Sequence, residues 1–291
     1  MEITSKLVSD LRAETGAGMM DCKKALVEAA GDFEEARKIL RKKGLAAAAS
    51  KAGRAASEGL VVARVTVKGA VLLEVNCETD FVARTEDFRV FADTLADRIA
   101  AHEAFGETRA GDVAELARLS WPGGETVGDA MTQRIATLKE NMQIRRFARL
   151  VPRPGERLSS YVHGNGRIGV LVGVGGGDET LGRDLAMHVA ASDPRFATRA
   201  DVGEDVLANE REIARAQALA AGKPAAVVER IAEGKVEKFY QEAVLLEQAF
   251  VKEPEKTVGQ VIVERAGKDA LNLRFLRFKL GEGLGRAEEA A

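Results

Sequence analysis

One series of local signals occurs twice in this chain, in the same order, and that repetition restricts its fold more than any other feature. In the first copy, residues 60–67 alternate and are rich in β-branched side chains, Lys68-Gly69 makes a turn, and 70–75 continue as a second strand. A helix is expected over about 86–100, a second helix opens at Glu125-Thr126-Val127-Gly128, and a strand over 142–150 closes the unit. In the second copy, 159–162, the turn Gly164-Asn165-Gly166 and 167–174 form another hairpin, followed by a helix at 181–191. Lys256-Thr257-Val258-Gly259 then echoes the earlier helix start, and Leu273-Arg274-Phe275-Leu276 mirrors Ile144-Arg145-Arg146-Phe147 in a closing strand expected around Leu271, Leu273 and Phe275. Two copies of a hairpin–helix–helix–strand unit predict an α+β fold with a duplicated core, divided at 57–150 and 151–280.

Three segments fall outside the repeat. Residues 1–56 read as a three-helix bundle and its exit: Leu7, Val8 and Leu11 share one helical face, and Cys22, Ala25, Leu26 and Ala29 share another. Gly31 stops the second helix, and Asp32 caps a third in a capping box with Glu35, its stripe being Phe33, Ala36 and Leu40. The Ala/Ser/Lys/Gly stretch 46–57 reads as a loose linker. Within the second copy, 204–245 is an insertion of two helical segments meeting at Gly222-Lys223-Pro224, with Val206, Ile213 and Ala220 facing Val228, Ile231 and Phe239 in an antiparallel helical hairpin. Residues 281–291 form a short, acidic, helix-compatible tail.

At 291 residues the chain is long enough to bury roughly three quarters of its surface without staples. Lys and Arg number 43 against 45 Asp and Glu, so the basic excess of a dedicated nucleic-acid binder is missing. The two cysteines, Cys22 and Cys77, lack metal-ligand or redox-motif spacing and fit a reduced compartment. The first residues lack the order of a signal peptide, and no stretch approaches the roughly 20 apolar residues of a membrane span. A cytoplasmic protein with no membrane and no direct nucleic-acid partner is expected.

Signals for bond chemistry are sparse. There is no phosphate loop ending in Gly-Lys-Ser/Thr. A G-x-G-x-x-G match at Gly164, Gly166 and Gly169 runs into a strand rather than a helix, so its glycines read as turn residues instead of a dinucleotide cradle. His102, His163 and His188 stand apart without ligand-like neighbours: His188 reads as core and His102 as a helix surface or end. The residues themselves describe a binding protein that is not an enzyme and takes no cofactor and no metal.

The segment Thr15-Gly16-Ala17-Gly18-Met19-Met20-Asp21-Cys22-Lys23-Lys24-Ala25-Leu26 resembles the N-terminal signature of the elongation factor Ts family, and Glu74-Val75-Asn76-Cys77-Glu78-Thr79-Asp80-Phe81-Val82-Ala83 resembles its second signature. His188-Val189-Ala190-Ala191 and Lys256-Thr257-Val258-Gly259-Gln260 are further matches, so the similarity runs through essentially the whole chain in order. The resemblance implies a ubiquitin-associated-like N-terminal domain, a duplicated core, a helical hairpin and a C-terminal helical module. It also implies guanine nucleotide exchange on elongation factor Tu, and a homodimer through the hairpin as in some relatives.

Residue by residue, the resemblance assigns partner contacts to Thr79, Asp80, Phe81 and Val82, with the Asp-Phe pair entering the partner near its magnesium and phosphate site. It assigns others to Met19, Met20 and Lys23 around the first helix–helix loop, to His163 at the second hairpin tip, and to Val251. Around Val251 this chain departs from the family, with Ala249 where proline is common and Lys252 where an apolar residue is frequent. From the residues alone, Phe81 is as readily a core side chain, Asp80 a helix cap, Met20 a hydrophobic staple for a helix capped by Asp21, and His163 a solvated turn residue. Two other readings stay open: an adaptor acting through residues 1–45, and an oxidoreductase using the glycine cluster.

Overall fold

The computed structural model describes residues 3–284. Its elements begin with α1 (Ser5–Thr15), α2 (Met19–Glu28) and α3 (Phe33–Lys51), followed by β1 (Glu58–Thr66), β2 (Gly69–Cys77), a single turn α4 (Asp80–Ala83), α5 (Glu86–Ala101), a short α6 (Val113–Leu116), α7 (Val127–Leu138) and β3 (Met142–Leu150). Next come β4 (Glu156–His163), β5 (Ile168–Gly175), α8 (Glu179–Ser192), α9 (Glu204–Ala220), α10 (Ala225–Ala243), β6 (Ala249–Phe250), β7 (Glu253–Thr257), α11 (Val258–Ala266) and β8 (Arg274–Lys279). This is a mixed helix-and-sheet, α+β structure.

Two antiparallel three-stranded sheets have matching orders, β1-β2-β3 and β4-β5-β8, each with the second strand of a hairpin at its centre. Side chains alternate across a strand, and both central strands use both faces. On β2, Val71, Leu73 and Val75 enter a core with α5 and α7, while Ala70 and Leu72 face the other sheet. On β5, Val170, Val172 and Val174 enter a core with α8 and α11, while Leu171 meets Leu72, Leu276 and Phe278 between the sheets. The layers therefore run helices, sheet, sheet, helices, and β2 is buried along its entire length.

The echoed Thr-Val-Gly segments are helix starts of the same construction. Thr126 caps α7 in a reciprocal box with Asp129, and Thr257 caps α11 in one with Gln260. The arginines of the mirrored closing strands hold buried carboxylates. Arg145 and Arg146 of β3 grip Glu74 at 2.7 and 2.6 Å, and Arg274 of β8 grips Glu156 at 2.6 Å.

The structure corrects several details. Helix α3 continues through 46–51, read above as linker, because Gly44 brings its second half against Thr132 and Ala136 of α7, and alanines extend a helix at little cost. Asp32 caps α3 by accepting from the Glu35 amide at 2.9 Å, but Glu35 pairs with Lys38 rather than closing a box. The β4–β5 loop has four residues, since His163 pairs with Ile168. The closing strand starts at Arg274, after a 3-10 turn over Lys268–Leu271. In the helical hairpin the seam lies one residue along from the sequence reading on α9: Leu207, Ala214 and Ala218 face Val228, Ala232 and Val236, while Ile213 and Ala220 point to solvent. Alanine seams let helices approach closely, and Arg211–Glu233 and Arg215–Glu229 flank this one. Of the tail, 281–284 form a turn; its acidic run at 285–291 lies outside the described residues.

The G-x-G-x-x-G glycines lie in the β4–β5 hairpin, with no helix behind them, which removes the dinucleotide reading. Gly166, in the turn itself with φ +92°, and Gly169, on β5, also let β1 come close. A Cβ on Gly166 would stand 2.6 Å from Leu60 Cδ2, and one on Gly169 would stand 2.5 Å from Val61 Cγ1. The Val61 amide donates to the Gly166 carbonyl at 2.7 Å. These glycines let the second hairpin lie against β1. No helix among the described residues is long and apolar enough to cross a membrane.

Candidate functional site

Strand β2 ends at Cys77, held by neighbours on both faces and by β1 and β3 on both edges. Three residues later, at Asp80, the chain is already helical. The Thr79 hydroxyl accepts from the Val82 amide at 3.3 Å and so starts α4. Ala83 is buried, and Val82 packs half-buried on the first core. The Thr85 hydroxyl donates to the Val82 carbonyl at 2.7 Å and caps α5 by accepting from the Phe88 amide. A single turn is thus pinned at both ends, and its first two residues face outward. Phe81 is 78% exposed, and Asp80 pairs with Arg84 at 2.6 Å. Where the sequence allows Phe81 to be core, the structure puts its ring in solvent.

The support beneath this turn comes from a residue that sequence reasoning missed. Glu140 follows Lys139, which closes α7 in the left-handed region and turns the chain toward β3. One Glu140 oxygen accepts from the Glu78 and Thr79 amides at 3.1 and 3.0 Å, and the other accepts the Thr79 hydroxyl at 2.6 Å. Glu78 reciprocates by accepting from the Asn141 amide at 2.6 Å. Sixty-one residues separate Glu140 from Thr79, and Lys139-Glu140-Asn141 reads locally as an ordinary turn. Burial, and then the Glu140 charge, push the Cys77 thiol up to about 12, so it stays protonated and donates to the Thr79 carbonyl at 3.1 Å. It is no nucleophile at neutral pH.

Met19 and Met20 are the first two residues of α2, capped by Gly18, with Asp21 inside the first turn. Asp21 therefore does not cap this helix, and Met20 is no staple: it is 61% exposed and Met19 45%. Met20, Lys23, Lys24, Val27 and Glu28 line a shallow depression on the bundle surface. The loop before α2 lies against the core: the Thr137 hydroxyl of α7, with one hydrogen to share, stands 2.9 Å from the Gln133 carbonyl of its own helix and 3.2 Å from the Gly16 carbonyl. Arg41 of α3 pairs with Asp129 of α7 at 2.8 Å. The two ends of α7 thus hold the bundle, and the residues around its C-terminus reach both the Gly16 loop and the Thr79–Val82 turn.

His163 ends β4 with an exposed ring, its Nδ1 3.1 Å from the Tyr161 hydroxyl. Val251 sits between β6 and β7, half exposed, while Phe250 beside it is buried in the second core. The Val251 amide donates to His188 Nδ1 at 3.2 Å, and His188 Nε2 lies 2.9 Å from Gln248 Oε1. The Gln248 amide nitrogen donates to the Glu242 carbonyl at 2.6 Å, which leaves its oxygen facing the ring. His188 is then neutral, with its hydrogen on Nε2, and burial lowers its pKa from the ordinary 6.5. Lys252, the departure noted above, pairs with Asp184 at 2.5 Å. Among the described residues no hydrogen bond joins His163 or Val251 to the Thr79–Val82 turn, and no three His, Cys, Asp or Glu side chains are placed to hold a metal ion.

What the arrangement offers is a rigid frame carrying separate exposed apolar side chains: Phe81, Met19, Met20 and Val251. Comparison with known proteins bears directly on that frame. The family model described as elongation factor TS matches residues 78–282. A protein of Methylococcus capsulatus named elongation factor Ts is 47% identical over 290 residues, covering 99% of this chain and 95% of that protein. Its namesakes in Rhodospirillum rubrum and Clostridium novyi are 49% and 46% identical, each again over 99% of this chain and 95% of the relative.

Proposed function

The chain belongs to the elongation factor Ts family, a premise from which we propose that it releases GDP from elongation factor Tu by seating Asp80 and Phe81 beside the partner's nucleotide and magnesium site. The family role is nucleotide exchange in the elongation phase of protein synthesis, with elongation factor Tu as partner, and it involves no bond chemistry. The observation that carries the assignment is Phe81, a large aromatic ring held in water at the start of a pinned helical turn. Burying one phenylalanine in a partner is worth roughly 2–3 kcal/mol, and about 1.4 kcal/mol changes a rate or equilibrium tenfold, so this contact supplies around a hundredfold. Met19, Met20, Lys23, His163 and Val251 supply the rest of the grip, with Thr79 and Val82 flanking the pair.

Exchange then follows from linkage. A protein that binds the nucleotide-free partner more tightly than the GDP-bound one weakens nucleotide binding by the same factor, and an incoming GTP expels it. We read 1–56 as a ubiquitin-associated-like unit and its exit, 57–150 and 151–280 as the two halves of the core with an insertion at 204–245, and the setting as the cytoplasm. Exposed Ile213, Leu219 and Val227 on the helical hairpin support pairing of two copies there; sedimentation at micromolar concentration tests it, and a monomer refutes it.

The direct test is release of a fluorescent GDP from elongation factor Tu with this protein at substoichiometric amounts. Turnover of many partners per molecule is expected. Unaccelerated release, with both proteins folded, would remove the assignment.

A further inference from the structure

We propose that Glu140 is the positioning residue of the exchange turn: it sets the direction in which Asp80 and Phe81 point while touching neither the partner nor its nucleotide. The proposal rests on the exchange role of Asp80–Phe81 given above. A single helical turn cannot fix its own orientation, because nucleating a helix costs more than one turn of hydrogen bonds returns. Helix α4 has only four residues, so its direction must be imposed by what precedes and follows it.

What precedes it is the two-residue bridge Glu78–Thr79, and both amides of that bridge go to one oxygen of Glu140. The other oxygen acts on the cap. The Thr79 hydroxyl donates to Glu140 at 2.6 Å and accepts from the Val82 amide at 3.3 Å. With its hydrogen committed to the carboxylate, the hydroxyl turns a lone pair toward the helix start. Charge-assisted bonds of this kind are shorter and stronger than neutral ones. The carboxylate is itself held in place: Lys139 is fixed by its amide donating to the Ile135 carbonyl, and Asn141 by Glu78 and by its own side chain donating to the Arg54 carbonyl at 2.7 Å. Glu140 and Glu78 form a reciprocal clasp between the end of α7 and the end of β2.

The test is a cycle of variants in the GDP-release assay, read at saturating protein and, separately, as affinity for the nucleotide-free partner. Glu140→Ala is expected to lower the saturated release rate at least about tenfold, since a displacement near 1 Å at a reacting constellation costs that much or more. Glu140→Gln, whose amide oxygen can still take both amides and whose nitrogen can donate to Thr79, should restore it to within about threefold. Glu140→Asp keeps the charge but is one methylene too short to span both groups, and should lose rate as Ala does; it also covers the case in which the alanine variant fails to fold. Glu140→Ala added to Phe81→Ala should cost clearly less than the product of the two single losses, because both act through one turn and only Asp80 is left to misplace. Full exchange by folded Glu140→Ala or Glu140→Asp overturns the proposal, as do losses that multiply in the double variant. If Phe81→Ala alone exchanges at the wild-type rate, the premise fails, and Glu140 loses its assigned role with it.

Discussion

Phe81 keeps its ring in water two residues before Ala83, which is fully packed. That contrast separates function from stability at the scale of one side chain. Phe81→Ala should leave the unfolding free energy within about 0.5 kcal/mol of wild type, as surface substitutions do, while slowing GDP release by roughly one to two orders of magnitude. Urea unfolding and the release assay on one preparation check both halves, and a large stability loss would return Phe81 to the core. His188 makes the opposite case, a buried residue with a pH signature. Its folded pKa is depressed, so the unfolded chain takes up the proton first. The stability that neutral His188 supplies is complete above the ordinary value of 6.5 and is lost as the pH falls below it. Unfolding at pH 7.5 and 5.5 should show wild type losing ground relative to His188→Gln, which has nothing to titrate; parallel losses would refute the buried neutral ring. The apolar helix around His188 already marked it as core, as it proves to be, whereas the environment of Phe81 is not legible from its residue type. Most phenylalanines are core, and only the likeness to a family signature pointed Phe81 outward. Glu140 carried no signal at all, since its partners lie across the fold.

Local patterns, by contrast, made most elements readable. The expected strand 142–150 is the observed β3, and the helix starts at Thr126 and Thr257 follow from cap chemistry confined to four residues. Where the reading slipped, a weak local signal met a distant contact. Residues 46–51 are helical because Gly44 docks on α7, and the hairpin seam is built of alanines, which lose to Val206 and Ile213 in any scan for apolar periodicity. The seam can be tested by Ala232→Glu, which puts a carboxylate at a fully buried position. It should cost about 2 kcal/mol or more of hairpin stability, seen as an early loss of helical signal on heating. Gly169→Ala tests the meeting of the two hairpins. Its Cβ would collide with Val61, so a loss of about 1–3 kcal/mol is expected in urea unfolding. A neutral result would mean that the sheets part without cost.

Two central strands organise the described residues, each serving a helical layer on one face and the opposite sheet on the other. The formal net charge is only −2, and the large exposed side chains named for contact are mostly apolar. Association with the partner should therefore weaken by less than about tenfold between 0.05 and 0.5 M salt. A hundredfold fall, measured by titration against nucleotide-free elongation factor Tu, would put ion pairs at the centre instead. Helix α7 has a further consequence at this scale. Thr137 stands against the loop that leads to Met19 and Met20, and Glu140 holds the turn that carries Phe81. If these side chains act as proposed, two probes based on one short stretch, the last turn of α7 and the residue just past its cap, make a gauge of constant opening. Such a gauge fits only a partner whose two receiving surfaces stand at the matching separation, and any state of the partner that widens or narrows that span can be touched by one probe but not by both.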